Sequence, residues 1–228
     1  MAVDKPHGLL VHRTHLSGSR DAALQRLRNQ LRQRVYPVHR LDRPTSGVLL
    51  FALNPDAARA LALQFEHRQV QKHYLAICRG WAPESGVIDY PIGDGAEPQP
   101  AVTRYRRRAT VELPIPVGPY PAARYSLMDV WPETGRMHQI RRHFAHIRHP
   151  LIGDTTHGEG RHNRLFRQHF DCYHLLLRAD SLRFQHPTTG SLIHICAPLP
   201  ERWQNLLLAL GWAEAAAQPA PLMPTSGG

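Results

Sequence analysis

Apolar residues recur along the chain at two spacings, and these spacings predict a mixture of short strands and helices. A continuous apolar run at 48–53 predicts a buried strand. Directly after it, Asn54 can cap a helix in which Pro55 takes the first position, a place where proline is favoured. Asp21 can cap an earlier helix in the same way. The other predicted strands span 8–12, 70–81, 87–90, 101–113, 122–131, 173–184 and 191–196, and the other predicted helices span 22–34, 137–148 and 200–211.

The order of these elements predicts the α+β fold class, with a central mixed and mostly antiparallel sheet that is flanked by helices and loops. The length of 228 residues suits one domain. We expect that domain to span residues 1–212. The last residues, 213–228, are mainly Ala, Pro, Ser and Gly, and this composition predicts a disordered tail.

The charge of the chain narrows its possible function classes. Lysine and arginine number 28 against 18 acidic residues, which gives a formal net charge of +10 before any of the 16 histidines is protonated. A chain this basic usually faces phosphates or an acidic membrane surface, and a solvated basic surface without such a partner is the alternative. No apolar run approaches the roughly 18 residues that a bilayer span requires, and no signal-peptide core is found. The three scattered cysteines indicate a reducing compartment, so we expect a cytoplasmic protein.

The loop His39–Gly47 carries a single aspartate, Asp42, between two arginines and directly before the buried strand. Cations on both sides favour the ionised carboxylate, which can act as a nucleophile or as a base. Pro44 and Gly47 restrict the loop around it. The alternative is a structural turn aspartate with incidental arginine neighbours.

Arg141 lies at the border of an apolar helix face that includes Ile140 and Phe144. A guanidinium at such a border needs an anionic partner if it is buried, because an unpaired buried charge is too costly. Asp42 is a candidate for that partner. The alternative is that Arg141 extends to solvent along the apolar surface.

Aromatic, basic and histidine residues widen the set of candidates. On its predicted strand, Tyr74 can stack on a base and offer its hydroxyl group, although a tyrosine in a sheet is more often structural. Arginines alternate around Tyr105, and both they and the basic segment 141–149 suit phosphate contacts or, alternatively, form solvated charged faces.

The spacing of His143 and His146 would permit both to bind one metal ion from a helix. No cysteine ligand or metal-binding motif accompanies them, so no metal site is expected.

Four motifs of the chain, in their order, resemble those of the RluA-type pseudouridine synthases. They are Lys5-Pro6-His7-Gly8-Leu9-Leu10-Val11-His12, then His39-Arg40-Leu41-Asp42 with Thr45-Ser46-Gly47, then Lys72-His73-Tyr74-Leu75-Ala76, and finally Gly135-Arg136-Met137-His138-Gln139-Ile140-Arg141 with Pro150-Leu151-Ile152-Gly153-Asp154. The likeness covers about residues 3–212 and is greatest to a tRNA-modifying branch of the family. It implies the pseudouridine synthase catalytic fold and an isomerase that needs no metal or organic cofactor.

The resemblance also implies roles for individual residues. Asp42 would be the catalytic aspartate, Tyr74 would stack on the target base, and Arg141 would pair with Asp42. The residues implied in holding the RNA or the substrate uridine are Arg40, Ile140, Arg136, His138 and Arg142. The implied reaction flips a uridine out of its helix, breaks its N1–C1′ bond and joins C5 to C1′. We expect tRNA as the partner, uridine 65 of its T stem as the target, no membrane association, and a monomer.

Alternatives to this substrate and activity stay open at this point. The substrate could be 23S rRNA or another tRNA position, and the chain could be a non-catalytic RNA-binding protein. The chain also departs from the family pattern in two places. Its Met1 lies close to Lys5, so part of the first strand is expected to be missing, and His157 stands where most of the wider family has tyrosine.

Overall fold

The computed structural model describes residues 1–12, 21–93 and 97–219. The chain divides into two compact units, of which the first comprises Met1–Lys72 and Ala179–Ala197 and the second comprises His73–Arg178 and the residues from Pro198 onward. The single domain expected over residues 1–212 stays a prediction. The elements are β1 (Ala2–Lys5), α1 (Ala23–Leu31), β2 (Tyr36–Pro37), β3 (Ser46–Ala52), α2 (Pro55–Glu66), β4 (Gln71–Arg79), β5 (Ser85–Asp89), β6 (Val102–Leu113), β7 (Ala123–Pro132), α3 (Gln139–His146), α4 (Gly160–Phe170), β8 (Leu177–Gln185), β9 (Leu192–Cys196), α5 (Glu201–Ala209) and α6 (Ala213–Ala217). None of the helices in the described part of the chain is both long enough and apolar enough to cross a membrane.

In the first unit, β3 is the central strand, and all of its residues are buried, as the continuous apolar run predicts. Strand β1 pairs antiparallel with β3, with Ala2 opposite Leu50, and β2 pairs with the carboxyl end of β3, with Tyr36 opposite Ala52. Strand β8 also neighbours β3, and β9 pairs antiparallel with β8. One core cluster of this unit contains Val48, Leu50, Ala52, Leu61, Val70, Leu182, Phe184 and Ala197.

Position 47, at the start of β3, requires glycine. The φ angle of Gly47 is +109°, a conformation that residues with a side chain rarely adopt. A Cβ atom there would lie 2.0 Å from the backbone oxygen of Ala179 in β8. This close approach of two backbones fixes the end of the His39–Gly47 loop.

In the second unit, four strands form an antiparallel array in the order β4-β7-β6-β5. Tyr74 of β4 lies opposite Val130 of β7, and Val130 lies opposite Tyr105 of β6. Side chains alternate between the two faces of the array. One face packs against Ile140 and Phe144 of α3, and the other packs against residues of α4 and α5.

The α+β class and the mostly antiparallel strand pairing are confirmed, and most predicted elements lie within a few residues of their observed positions. The Asn54 cap of α2 is also present, since the Asn54 side chain accepts a hydrogen bond from the backbone N–H of Ala57. The prediction of a strand over 8–12 is wrong. The first strand is β1, and Gly8, with a φ angle of +79°, interrupts the extended backbone that follows it.

Three further predictions differ from the structure. Ala22 is the N-cap residue of α1 and makes no side-chain cap, whereas the Asp21 carboxylate pairs with Arg26. Helix α4 was not predicted because its buried face includes two polar residues, His162 and Asn163, which obscure the apolar period. The segment 213–228, predicted to be disordered, begins with α6, and residues 220–228 lie outside the described part of the chain.

Candidate active site

The loop that carries Asp42 is fastened to the amino-terminal segment by Lys5. The Lys5 side chain is only 1% exposed, and its Nζ donates hydrogen bonds to the carbonyl oxygens of Pro6 (3.0 Å), Leu9 (2.7 Å) and Arg43 (3.2 Å). Burial lowers the pKa of Lys5 to about 8, and the negative charge of Asp42 partly offsets this effect. The ammonium group therefore fixes the backbone of the loop and interacts electrostatically with the Asp42 carboxylate.

Backbone contacts complete the loop around Asp42. The N–H of Thr45 donates to the carbonyl oxygen of Asp42 at 3.1 Å, which closes a turn. The N–H of Gly8 donates to the carbonyl oxygen of Arg43 at 2.9 Å, and Nε of Arg43 donates in return to the carbonyl oxygen of Gly8 at 3.0 Å. Asp42 is half-buried and Arg40 is exposed. Arg40 and Arg43 are therefore both exposed, and Arg43 is also tied to the backbone of Gly8.

His39 anchors the beginning of the same loop. Its Nε2 accepts a hydrogen bond from the backbone N–H of Leu50 at 2.9 Å, and its ring stacks on Phe65 with the ring centroids 4.7 Å apart. A ring nitrogen that accepts a hydrogen bond carries no proton, so His39 is neutral. Burial, with a smaller contribution from the charge of Lys72, lowers the pKa of His39 to about 3.

Arg141 of α3 is held by a two-point ion pair with Asp154. Its Nε lies 2.7 Å from Oδ2 of Asp154, and its Nη2 lies 2.8 Å from Oδ1. The two residues are 3% and 2% exposed. The guanidinium is therefore buried with an anionic partner, as the border position of Arg141 requires, and the alternative of an arginine that extends to solvent is wrong.

The Asp154 carboxylate is fixed by further contacts within the second unit. Its Oδ1 accepts hydrogen bonds from the backbone N–H groups of Thr156 (2.9 Å) and His157 (3.0 Å). Burial alone would raise the pKa of Asp154, but the hydrogen bonds from Arg141 and from these two N–H groups outweigh it and hold the pKa below its ordinary value. The side chain of Asn163 donates to the Asp154 carbonyl oxygen at 2.8 Å and fixes the turn from α4.

Two buried polar side chains fasten α3 to β6. Nε2 of Gln139 donates to the carbonyl oxygen of Val102 and to Oγ1 of Thr103, at 2.9 and 3.0 Å. His143 contacts Thr103 Oγ1 through Nδ1 and the carbonyl oxygen of Tyr90 through Nε2, both at 2.9 Å. Because a carbonyl only accepts, Nε2 of His143 carries the proton, and the Thr103 hydroxyl donates to Nδ1. Burial lowers the pKa of His143, which agrees with this neutral form.

Tyr74 and Ile140 belong to one apolar cluster beneath α3. Ile140 is buried in this cluster, and the half-buried Tyr74 packs against it. In the same unit, Nη2 of Arg142 donates to the carbonyl oxygen of Gly93 at 2.8 Å, and Nε of the exposed Arg136 donates to the carbonyl oxygen of Pro100 at 3.2 Å. The second unit therefore brings Tyr74 and Ile140 into one cluster, and backbone carbonyl groups hold Arg142 and Arg136.

Strand β7, the neighbour of the strand that carries Tyr74, holds a buried carboxylate, Asp129. Its Oδ1 lies 2.7 Å from Nε2 of His73 and 2.6 Å from Nε of Arg108, and its Oδ2 lies 3.6 Å from Nη2 of Arg106. Nη1 of Arg108 also donates to carbonyl oxygens of Ala215 and Gln218. These contacts tie β4, β6 and β7 to the region of α6.

The two units divide the site residues predicted from the sequence. Asp42 and Arg40 belong to the first unit, and Tyr74, Arg136, His138, Ile140, Arg141 and Arg142 belong to the second. The pairing of Arg141 with Asp42 stays a prediction. Sequence reasoning missed Asp154 as a partner of Arg141, although the need for a buried anion and its place in the 150–154 motif were both signals, and it missed the ammonium group of Lys5.

One of the two histidines considered for a metal, His143, uses both of its ring nitrogens in hydrogen bonds. Both ring nitrogens of His143 are taken by Thr103 and Tyr90, and Asp154 is taken by Arg141. Within residues 1–12, 21–93 and 97–219, no three His, Cys, Asp or Glu side chains come together in a way that could hold a metal ion.

Comparison with known proteins identifies the family. Residues 1–146 match the RNA pseudouridylate synthase family. A Vibrio cholerae protein named tRNA pseudouridine synthase C is 49% identical, and the match covers 94% of this chain and 93% of that protein. The chain belongs to the RNA pseudouridylate synthase family. The resemblance drawn from the four motifs is therefore confirmed, and the chain is an isomerase of this family.

Other members of the RNA pseudouridylate synthase family agree with this assignment. A Yersinia pestis protein, also named tRNA pseudouridine synthase C, is 49% identical, with 93% of this chain and 88% of that protein covered. The solved structure of human RNA pseudouridylate synthase domain containing 1 has a TM-score of 0.67 and 27% identity, and covers 96% of this chain and 92% of that one. The pseudouridine synthase catalytic fold expected from the motifs is therefore confirmed.

Proposed function

We propose that the chain converts uridine 65 of tRNA into pseudouridine, as a monomer in the cytoplasm. The observation that carries this proposal is the 49% identity to the Vibrio cholerae protein over almost the whole chain. The net charge of +10 supports it, because a basic surface attracts the phosphates of RNA.

In this proposal Asp42 is the catalytic residue. The reaction breaks the N1–C1′ bond of the uridine and forms a C5–C1′ bond, while one proton leaves C5 and one is gained at N1, so no redox partner or energy source is needed. An ionised carboxylate can start such a rearrangement as a nucleophile or as a base. The contacts made by Lys5 and Thr45 support this role, because they fix the backbone carbonyl groups of Arg43 and of Asp42 itself.

Arg141 is proposed to pair with Asp42 while it stays bound to Asp154. A guanidinium has five N–H donors, and two of its nitrogens bind Asp154, so one arginine can serve two carboxylates. The fixed geometry of the Asp154 pair supports this proposal, because it holds the guanidinium in one orientation. The arginine would thereby hold the Asp42 carboxylate in an orientation aimed at the sugar.

The remaining residues are proposed to hold the flipped nucleotide and the RNA. A uridine inside a helix cannot present C1′ and C5 to one carboxylate, so it must leave the stack, at a cost of a few kcal/mol. Tyr74 would stack on the base and assist removal of the proton from C5, with Ile140 beside it. Arg40 would help to displace the uridine. The exposed or half-buried polar residues Arg136, His138 and Arg142 would contact the RNA.

The experiment is modification of an unmodified tRNA transcript in vitro, with the pseudouridine position mapped by reverse transcription after carbodiimide treatment. We expect one pseudouridine, at position 65, with the wild-type chain. Asp42→Asn should form none and should keep its tRNA affinity within a few-fold, because the substitution preserves size and removes only a charge. Modification of 23S rRNA or of another tRNA position, or turnover by Asp42→Asn, would contradict the proposal.

A further inference from the structure

Two histidines of the second unit are in direct contact where α3 begins. Nδ1 of His138 lies 3.1 Å from Nε2 of His157, and the ring centroids are 5.2 Å apart. Both residues are half-buried. In the part of the chain that the structure describes, neither ring makes another hydrogen bond, so Nε2 of His138 and Nδ1 of His157 are the outer nitrogens of the pair.

The backbone holds both rings in fixed positions. His138 has a φ angle of +53°, which is uncommon for a residue with a side chain. The His157 backbone N–H donates to Asp154 Oδ1, so the ion pair of Asp154 with Arg141 also positions the second ring. Strained backbone that the surrounding structure maintains is found mainly at functional sites.

The charged groups that act on His157 are Asp154, Arg141, Arg142 and His138. Burial lowers the pKa of His157, the charge of Asp154 opposes this, and Arg141, His138 and Arg142 lower it further. His157 is therefore uncharged in the free protein at neutral pH, while its surroundings carry two arginines.

We propose that the His138–His157 pair binds a backbone phosphate of the RNA and takes up one proton when it does so. This inference rests on the proposed function and assigns His157 to the RNA contact.

The proton requirement follows from counting donors. Two neutral imidazoles joined by one hydrogen bond present one N–H and one bare nitrogen at the outer positions. One added proton gives the pair an N–H at both outer positions. A phosphate offers only acceptor oxygens and a negative charge, so it binds the protonated pair more strongly. Binding and protonation must therefore favour each other.

The test measures tRNA affinity against pH for the wild type and for His157→Gln. The glutamine amide can keep a hydrogen bond to His138 but cannot take up the proton. Dissociation constants for an unmodified tRNA transcript would be measured by fluorescence anisotropy between about pH 5.5 and pH 8, the range in which histidine titrates, at constant ionic strength. His169→Gln, on an exposed position of α4, is the control.

We expect the affinity of the wild type to rise as the pH falls, by up to about tenfold per pH unit where one proton is taken up. His169→Gln should keep this dependence and His157→Gln should lose it. At pH 6 the salt dependence of log Kd should also fall by about one unit of slope in His157→Gln, as expected for one lost phosphate contact. The kcat of His157→Gln at saturating tRNA should be unchanged and its KM raised.

An unchanged pH dependence in His157→Gln would overturn the inference. So would a lower kcat with unchanged affinity, which would show that the pair only orients Arg141 through Asp154. These outcomes are distinct from a failure of the proposed function, in which the wild-type chain would form no pseudouridine in tRNA at any pH.

Discussion

Replacing Asp154 by asparagine tests the buried ion pair that orients Arg141. Asparagine has the same size, and its oxygen can still accept the backbone N–H groups of Thr156 and His157. Its amide nitrogen, however, donates towards a guanidinium that also only donates. Both partners are almost fully buried, and loss of one partner of a buried ion pair costs about 3–5 kcal/mol of unfolding free energy.

The loss can be measured by thermal unfolding. For a chain of this length 1 kcal/mol corresponds to about 2–4 °C, so we expect Tm to fall by about 6–20 °C. The matched control is Glu112→Gln, which breaks the exposed pair with Arg124 by the same change of carboxylate to amide. Exposed pairs contribute about 1 kcal/mol or less, so the control should stay close to the wild type.

The pH dependence gives a second readout of the same pair. The pKa of Asp154 in the folded protein lies below its ordinary value of 3.8, so its contribution is present above that pH and is lost as the pH falls through the lowered value. The difference in unfolding free energy between the wild type and Asp154→Asn should therefore shrink below pH 3.8. Equal Tm values for Asp154→Asn and Glu112→Gln at neutral pH would refute the reasoning.

Two other predictions concern the loop that carries Asp42. Gly47→Ala should abolish soluble folded protein or lower the free energy of unfolding by several kcal/mol, because its Cβ atom would lie 2.0 Å from the backbone oxygen of Ala179. The control Gly160→Ala, whose Cβ atom would meet nothing within 4 Å, should change Tm little. A Tm of Gly47→Ala equal to that of the wild type would disprove the close approach. In the folded protein His39 takes up a proton only at about pH 3, whereas in the unfolded chain it takes one up below pH 6.5. The free energy of unfolding of the wild type should therefore decrease as the pH falls from 6.5 to about 3. In urea unfolding, His39→Gln should remove a slope of up to about 1.4 kcal/mol per pH unit, and an unchanged slope would contradict the neutral His39 ring.

Local patterns predicted those parts of the fold in which the chain's own neighbours decide the structure. The apolar run of β3 and the Asn54-Pro55 start of α2 are confirmed because each needs only a few adjacent residues. Helix α4 was missed because its buried face uses His162, which meets Tyr125 through a hydrogen bond of 2.9 Å between residues far apart in sequence. The helix cap predicted at Asp21 failed for a similar reason, because the Asp21 carboxylate pairs with the side chain of Arg26 instead of accepting from a backbone N–H.

In the site, too, features that depend on adjacent residues could be predicted and features that depend on distant contacts could not. The motif residues could be assigned from the resemblance, and the need of Arg141 for a buried anion followed from charge alone. That Asp154 supplies this anion depends on the turn that follows Leu151, which no spacing rule specifies. The role of Lys5 was likewise invisible, because its three carbonyl partners are loop backbone atoms rather than recognisable side chains.

The hydrogen bonds that Gln139 and His143 make to β6 have a consequence for how the family can diversify. Directional bonds define the rotation and height of α3 on the sheet, so the apolar residues between helix and sheet are released from much of that task. Substitutions among those apolar residues can then reshape the neighbouring surface while the guanidinium of Arg141 keeps its position. The surface that selects the substrate can therefore change without displacing the Arg141 guanidinium.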